Sequence, residues 1–99
     1  MTSPEPPRSL AEVRARIDAL DGRLIDLLAE RERLVRAAAH FKPTEAAVHA
    51  PDRVTAVLTS TRTRALTAGL SPDVAEAVWR AMITAFIDLE LRELRGTEA

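Results

Sequence analysis

A single apolar stripe at helical spacing runs almost unbroken from Leu10 to Ala38, and nothing else in the sequence constrains the fold as strongly. It reads Leu10, Val13, Ile17, Leu20, Leu24, Leu27, position 31, Leu34 and Ala38. These steps of three and four put every member on one face of a helix. Ser9-Leu10-Ala11-Glu12 opens the stretch as a capping box, with Ser9 closing the helix start and Glu12 reaching back. No proline interrupts it, and its one glycine, Gly22, costs about 1 kcal/mol, which a long helix tolerates. Roughly 30 residues of helix extend about 45 Å, whereas a compact domain of about 100 residues has a radius of gyration near 13 Å. One chain cannot cover such a rod. The stripe is therefore expected to bury itself against a second copy, making a homodimer.

Phe41-Lys42-Pro43 ends this first helix, and Pro43 to Ala50 reads as a connector. Pro51 suits the first position of a second helix, with Asp52 placed well against the helix dipole. The stripe Val54, Val57/Leu58, Thr61, Ala65 carries that helix to about Ala68, and Gly69-Leu70 reads as a glycine C-cap with its hydrophobic contact. Ser71-Pro72-Asp73 starts a third helix, Ser71 as N-cap and Pro72 in the first turn, which runs to about Arg95 and stops near Gly96. There is no strand-like alternation. The reading is all-α: three helices, long, short and long, forming one domain over 9–95 between a disordered lead-in (1–8) and a tail (96–99).

Composition narrows the function. Ninety-nine residues, 46% of them hydrophobic, suffice for one core. With 14 basic against 15 acidic side chains and only 3% aromatic residues, no field or stacking platform for nucleic acid is present. No apolar run is long enough to span a membrane, and Met-Thr-Ser-Pro-Glu-Pro-Pro does not resemble a signal peptide, so the cytoplasm is the expected location. The absence of cysteine removes disulfides, thiol catalysis and thiolate metal sites. His40 and His49 lack metal-ligand spacing and no acidic triplet occurs, so neither metal nor cofactor is expected.

Charge placement is more telling than charge total. Position 31 of the apolar seam is Arg, and a buried cation needs an anion, from the protein or from a ligand. The third helix repeats the oddity: its face Trp79, Ile83, Phe86, position 90, Leu94 carries Glu90. Arg31 could snorkel outward or pair with a carboxylate, Glu90 among them. Arg14 flanks the seam, where arginines are usually solvated. Lys42 would by default meet the last carbonyls of the first helix. Arg53, in the first turn of the second helix, stands at the positive end of a dipole, which hints at a negative group opposite.

Arg14, Arg31 (within Leu27-Leu28-Ala29-Glu30-Arg31), Lys42, Arg53 and the polar position 90, together with Val13-Arg14-Ala15-Arg16-Ile17-Asp18-Ala19-Leu20-Asp21, resemble the AroQ-class, all-helical chorismate mutase family. The resemblance spans about 9–95 and implies an intertwined homodimer with paired long helices. It implies that Arg14 crosses into the partner's site while Arg31, Lys42, Arg53 and Glu90 serve their own. Arg14 and Arg31 would clamp the carboxylates of a small dicarboxylate substrate, a task suited to arginine's fork. Lys42 and Glu90 would address the ether oxygen of the enolpyruvyl group, with Ile83 and Ile87 walling the pocket. Lys42, Glu90 and Arg31 are thus the catalytic candidates.

The stretch from Phe41 to Val54 is similar to the isochorismate pyruvate lyase branch, which makes salicylate for siderophores. Ordinary mutases of the class usually carry an acid at the position of Val54. The implied reaction is pericyclic, isochorismate giving salicylate and pyruvate. Alternatives are a chorismate mutase, a 4-amino-4-deoxychorismate mutase, or a non-catalytic helical dimer. Position 90 is commonly Gln in the family. A glutamate donates a hydrogen bond only when protonated, so activity is expected to fall as pH rises and Glu90→Gln to flatten that profile.

Overall fold

The computed structural model describes residues 5–98, and these fold as α1 (Leu10–Ala39), α2 (Glu45–His49), α3 (Pro51–Ala68) and α4 (Pro72–Glu98). No strand occurs among the described residues. Helices α1, α3 and α4, long, shorter and long, stand where the hydrophobic periodicity puts them. Two corrections follow. Residues 45–49, inside the expected connector, form the one-turn helix α2, and α4 continues past Gly96 to Glu98. Of the expected lead-in and tail, residues 1–4 and 99 lie outside the described residues.

Each terminus has a local cause. The backbone N–H of Glu12 donates to Ser9 Oγ at 3.1 Å, so Ser9 caps α1 as its sequence predicts. The return half of the box differs: Glu12 Oε2 accepts from the backbone N–H of Arg8, one residue before the cap. Arg16 reaches back along the same face, donating to Glu12 and to the carbonyl of Glu5. At the far end of α3, Gly69 takes the left-handed conformation (φ 79°) and Leu70 N–H closes on the Ala65 carbonyl at 2.9 Å. That six-to-one bond is a Schellman cap. A φ of that sign is easy for glycine and costly for most other residues.

The chain divides into two compact units, one ending at Arg33 and the other beginning at Leu34, with α1 passing from the first into the second. In the first unit the seam lies open: no residue of α1 is buried, and Leu20 and Leu27 keep 51% and 60% of their accessible surface. The second unit holds the core. Leu58 and Ala65 of α3 and Ala75 and Leu91 of α4 are buried, and these two helices form a hairpin. Arg62 clamps its turn through the Pro72 carbonyl and the carboxylates of Asp73 and Glu76. The helix α2 packs on α4, with Val48 buried.

Candidate functional site

Lys42 sits at the end of a tight turn that closes α1, its N–H bonded to the Ala39 carbonyl at 3.1 Å. The turn stops the helix from continuing and aims the lysine back toward α4. Its Nζ donates to both oxygens of Glu90, at 3.2 Å and 3.4 Å. Among the described residues Glu90 is the buried polar one, only 5% exposed. Ile83 and Ile87, two turns and one turn earlier on α4, are both half-buried. Where the last carbonyls of α1 are the default partner for the Lys42 side chain, the structure joins it to Glu90 across 48 residues of sequence.

Glu90 is buried, whereas the Lys42 side chain keeps 30% of its surface. Taking the carboxylate from water is expensive, and the ammonium offsets that cost only while it is present. Removing Lys42 alone would strand a buried carboxylate. An ammonium has three donors, so Lys42 keeps capacity for a further acceptor beside Glu90. Beyond this pair, α4 is tied down by Arg36–Glu93 and by Arg95–Glu45, the latter reaching α2 at 3.4 Å.

Arg53 lies exposed in the first turn of α3 and lines one end of a groove of about 410 Å³ between α3 and α4. Val57, Ser60, Arg64 and Trp79 continue that groove. Val54, one residue on from Arg53, is half-buried. Arg14 is exposed and Arg31 half-buried on the part of α1 that belongs to the first unit. Within the second unit, then, the structure joins Lys42 with Glu90, puts Ile83 and Ile87 on the same helix, and leaves Arg53 at the groove.

Sequence reasoning missed Val48. It is 3% exposed, among the most buried apolar side chains of the chain, yet it belongs to a five-residue helix. Its one signal was Thr44, whose Oγ1 accepts from Ala47 N–H at 3.1 Å as an N-cap. Among the described residues no group of three or more His, Cys, Asp or Glu could hold a metal ion. No helix among them is long and apolar enough to cross a membrane.

A family model described as chorismate mutase type II matches residues 13–91, a span that runs from α1 through Glu90. The chain belongs to the chorismate mutase type II family. Among curated proteins it is similar to the isochorismate pyruvate lyase of Pseudomonas aeruginosa, 34% identical over 97 residues. That match covers 98% of this chain and 96% of the relative. Within this AroQ-class family, Arg14, Arg31, Lys42, Arg53 and Glu90 are the charged positions that the motif resemblance picks out, and all lie inside the matched span.

Proposed function

We propose that this protein is an isochorismate pyruvate lyase, splitting isochorismate into salicylate and pyruvate without metal, cofactor or covalent intermediate. The observation that carries the reading is the similarity to a protein of that name, which covers 98% of this chain and 96% of the relative. The half-buried valine at position 54, where mutases of the class usually carry an acid, supports it.

In the proposed reaction a ring hydrogen passes to the enolpyruvyl methylene while the ether bond to the ring breaks. The methylene becomes the methyl of pyruvate, the ether oxygen becomes its ketone, and the ring is left aromatic. All atoms of the substrate appear in the two products, and no proton, electron or water is added. The protein's task is to hold a compact conformer and to face the ether oxygen with positive charge as the bond stretches. Lys42 is the donor assigned to that oxygen. Glu90 holds Lys42 in place through both of its carboxylate oxygens. Arg31, and Arg14 from a second copy, are assigned to the carboxylates, Arg53 adds to the anion-binding field, and Ile83 and Ile87 wall the ring. The active species on this reading is a homodimer whose long α1 helices pair, in the cytoplasm, serving salicylate and siderophore production.

A mutase acting on chorismate or 4-amino-4-deoxychorismate is the second reading, favoured by the family as a whole. Incubating the protein separately with isochorismate, chorismate and 4-amino-4-deoxychorismate decides between them. The lyase reading expects salicylate fluorescence and stoichiometric pyruvate from isochorismate. Prephenate, or its amino counterpart, as the main product would replace it. No turnover of any of the three, together with no thermal shift on adding a dicarboxylate transition-state mimic, would leave a non-catalytic helical module.

A further inference from the structure

Residues 43–50 connect two cations of the proposed site, Lys42 at the end of the α1 turn and Arg53 in the first turn of α3. This strap has three unusual properties. Its helix, α2, has only five residues, too few to be stable by its own hydrogen bonds. It nevertheless carries Val48, 3% exposed, and the element it packs against is α4, which bears Glu90. It ends on Ala50, the one non-glycine residue with positive φ among those described (φ 35°, ψ 63°).

Ala50 does two jobs in that conformation. It is the C-cap of α2, its N–H bonded to the Ala46 carbonyl at 3.1 Å, and the N-cap of α3, its carbonyl accepting from Val54 N–H at 3.1 Å. No side chain caps the start of α3. The turn at Ala50 therefore sets the direction in which α3, and Arg53 with it, leaves the strap. A left-handed alanine is disfavoured roughly tenfold, and the proline that follows restricts its backbone further. Burying one valine favours the docked strap by roughly tenfold to a hundredfold. The two effects have opposite signs and comparable size.

We propose that Val48 and Ala50 are positioning residues for Lys42 and Arg53: Val48 pins the 43–50 strap onto α4, and the strained turn at Ala50 keeps that docking only marginally favourable. The inference rests on the functional reading above for its catalytic consequence, though not for the docking itself. The Glu45–Arg95 pair, more than half exposed on both sides, adds little to the pin.

The test uses the full-length protein with Val48→Ala, Ala50→Gly, Ala50→Val and the double variant Val48→Ala/Ala50→Gly. Amide hydrogen exchange is followed at Lys42, Val48 and Ala50, beside melting temperature and steady-state kinetics on isochorismate. Val48→Ala and Ala50→Val are expected to speed exchange at these three amides about tenfold, with α3 and α4 amides unchanged. In the same variants kcat is expected to fall about tenfold with the melting temperature nearly constant. Ala50→Gly, which accepts positive φ, is expected to slow the same exchange, and the double variant to recover most of the loss.

Unchanged exchange at Lys42 and Val48 in Val48→Ala would overturn the docking. Faster exchange with kinetics unaltered would overturn the positioning role. A general loss of stability in every variant, with no recovery in the double, would reduce Val48 to an ordinary core residue. Wild-type protein inactive on all three substrates would overturn the lyase reading, while the exchange pattern would still decide the docking.

Discussion

At the scale of single side chains, Lys42 and Glu90 are the residues to which the proposed reaction assigns the ether oxygen, and their pairing makes the obvious variant ambiguous. Lys42→Ala removes a donor for the ether oxygen, a loss of about 10²–10³ in kcat. It also leaves Glu90 buried and unpartnered, a cost on the order of 3 kcal/mol in stability. Glu90→Gln separates the two effects, because a neutral amide tolerates the missing lysine and still donates. The double variant Lys42→Ala/Glu90→Gln is expected to regain most of the melting temperature and none of the activity. Recovery of both would make the lysine a structural counter-ion. Glu90→Gln alone should keep turnover, measured as kcat/KM beside the wild type. At the other end of the chain, Glu12 is held below the ordinary carboxylate range, first by the Arg8 backbone N–H and then by the Arg16 guanidinium. A carboxyl with a lowered value stabilises the fold fully above the unfolded-state value, and that contribution fades as pH falls through the folded value. The helical stability gained over Glu12→Gln should thus be present near neutrality and vanish on acidification, as circular dichroism melts at a series of pH values would record.

Helices α1, α3 and α4 were legible because each is long enough for its apolar period to repeat and each has a chemical start or stop. Ser9, Pro51, Pro72 and Gly69 mark those ends, and the structure places the helix termini at or beside all four. Replacing Ser9 with Ala should cost about 1 kcal/mol, and Gly69→Ala a similar amount because of its positive φ, both readable as shifts in denaturant midpoint. The helix α2 was not legible for the opposite reason. Five residues hold barely more than one period, and a single valine shows no stripe, so burial there depends on what α4 offers. The Lys42–Glu90 pair lies between these cases. Periodicity marks Glu90 as out of place on its stripe, but only packing decides which cation answers it. Family resemblance had both residues at one ether oxygen, and the structure brings them together by a route local pattern does not contain.

The whole molecule is where Arg14 and Arg31 must be explained, since both stand on the half of α1 whose apolar stripe is open. If α1 pairs with its copy, Leu20, Leu24 and Leu27 form the seam, and Leu24→Lys should convert the protein to a monomer by sedimentation and abolish turnover. Loss of activity alone would not say which chain supplies which arginine. Mixing two inactive variants does. Arg14→Ala keeps its own Arg31, and Arg31→Ala keeps its own Arg14. Suppose Arg14 acts across the dimer. A mixed dimer then contains one site with Arg31 from its own chain and Arg14 from the other, both intact, and one site with neither. Random exchange of subunits makes half the dimers mixed, so about a quarter of wild-type activity should return on unfolding and refolding the two variants together. If both arginines instead serve the chain that carries them, every site in every dimer lacks one, and co-refolding restores nothing. The titration is internally controlled: each variant refolded alone stays inactive under either arrangement. Recovered activity should also follow the product of the two variant fractions, peaking at an equal mixture. A peak near a quarter would establish that the site is completed by a second copy. It would also explain why the arginine at position 31 interrupts an otherwise apolar seam: there the paired helices would open to admit a carboxylate.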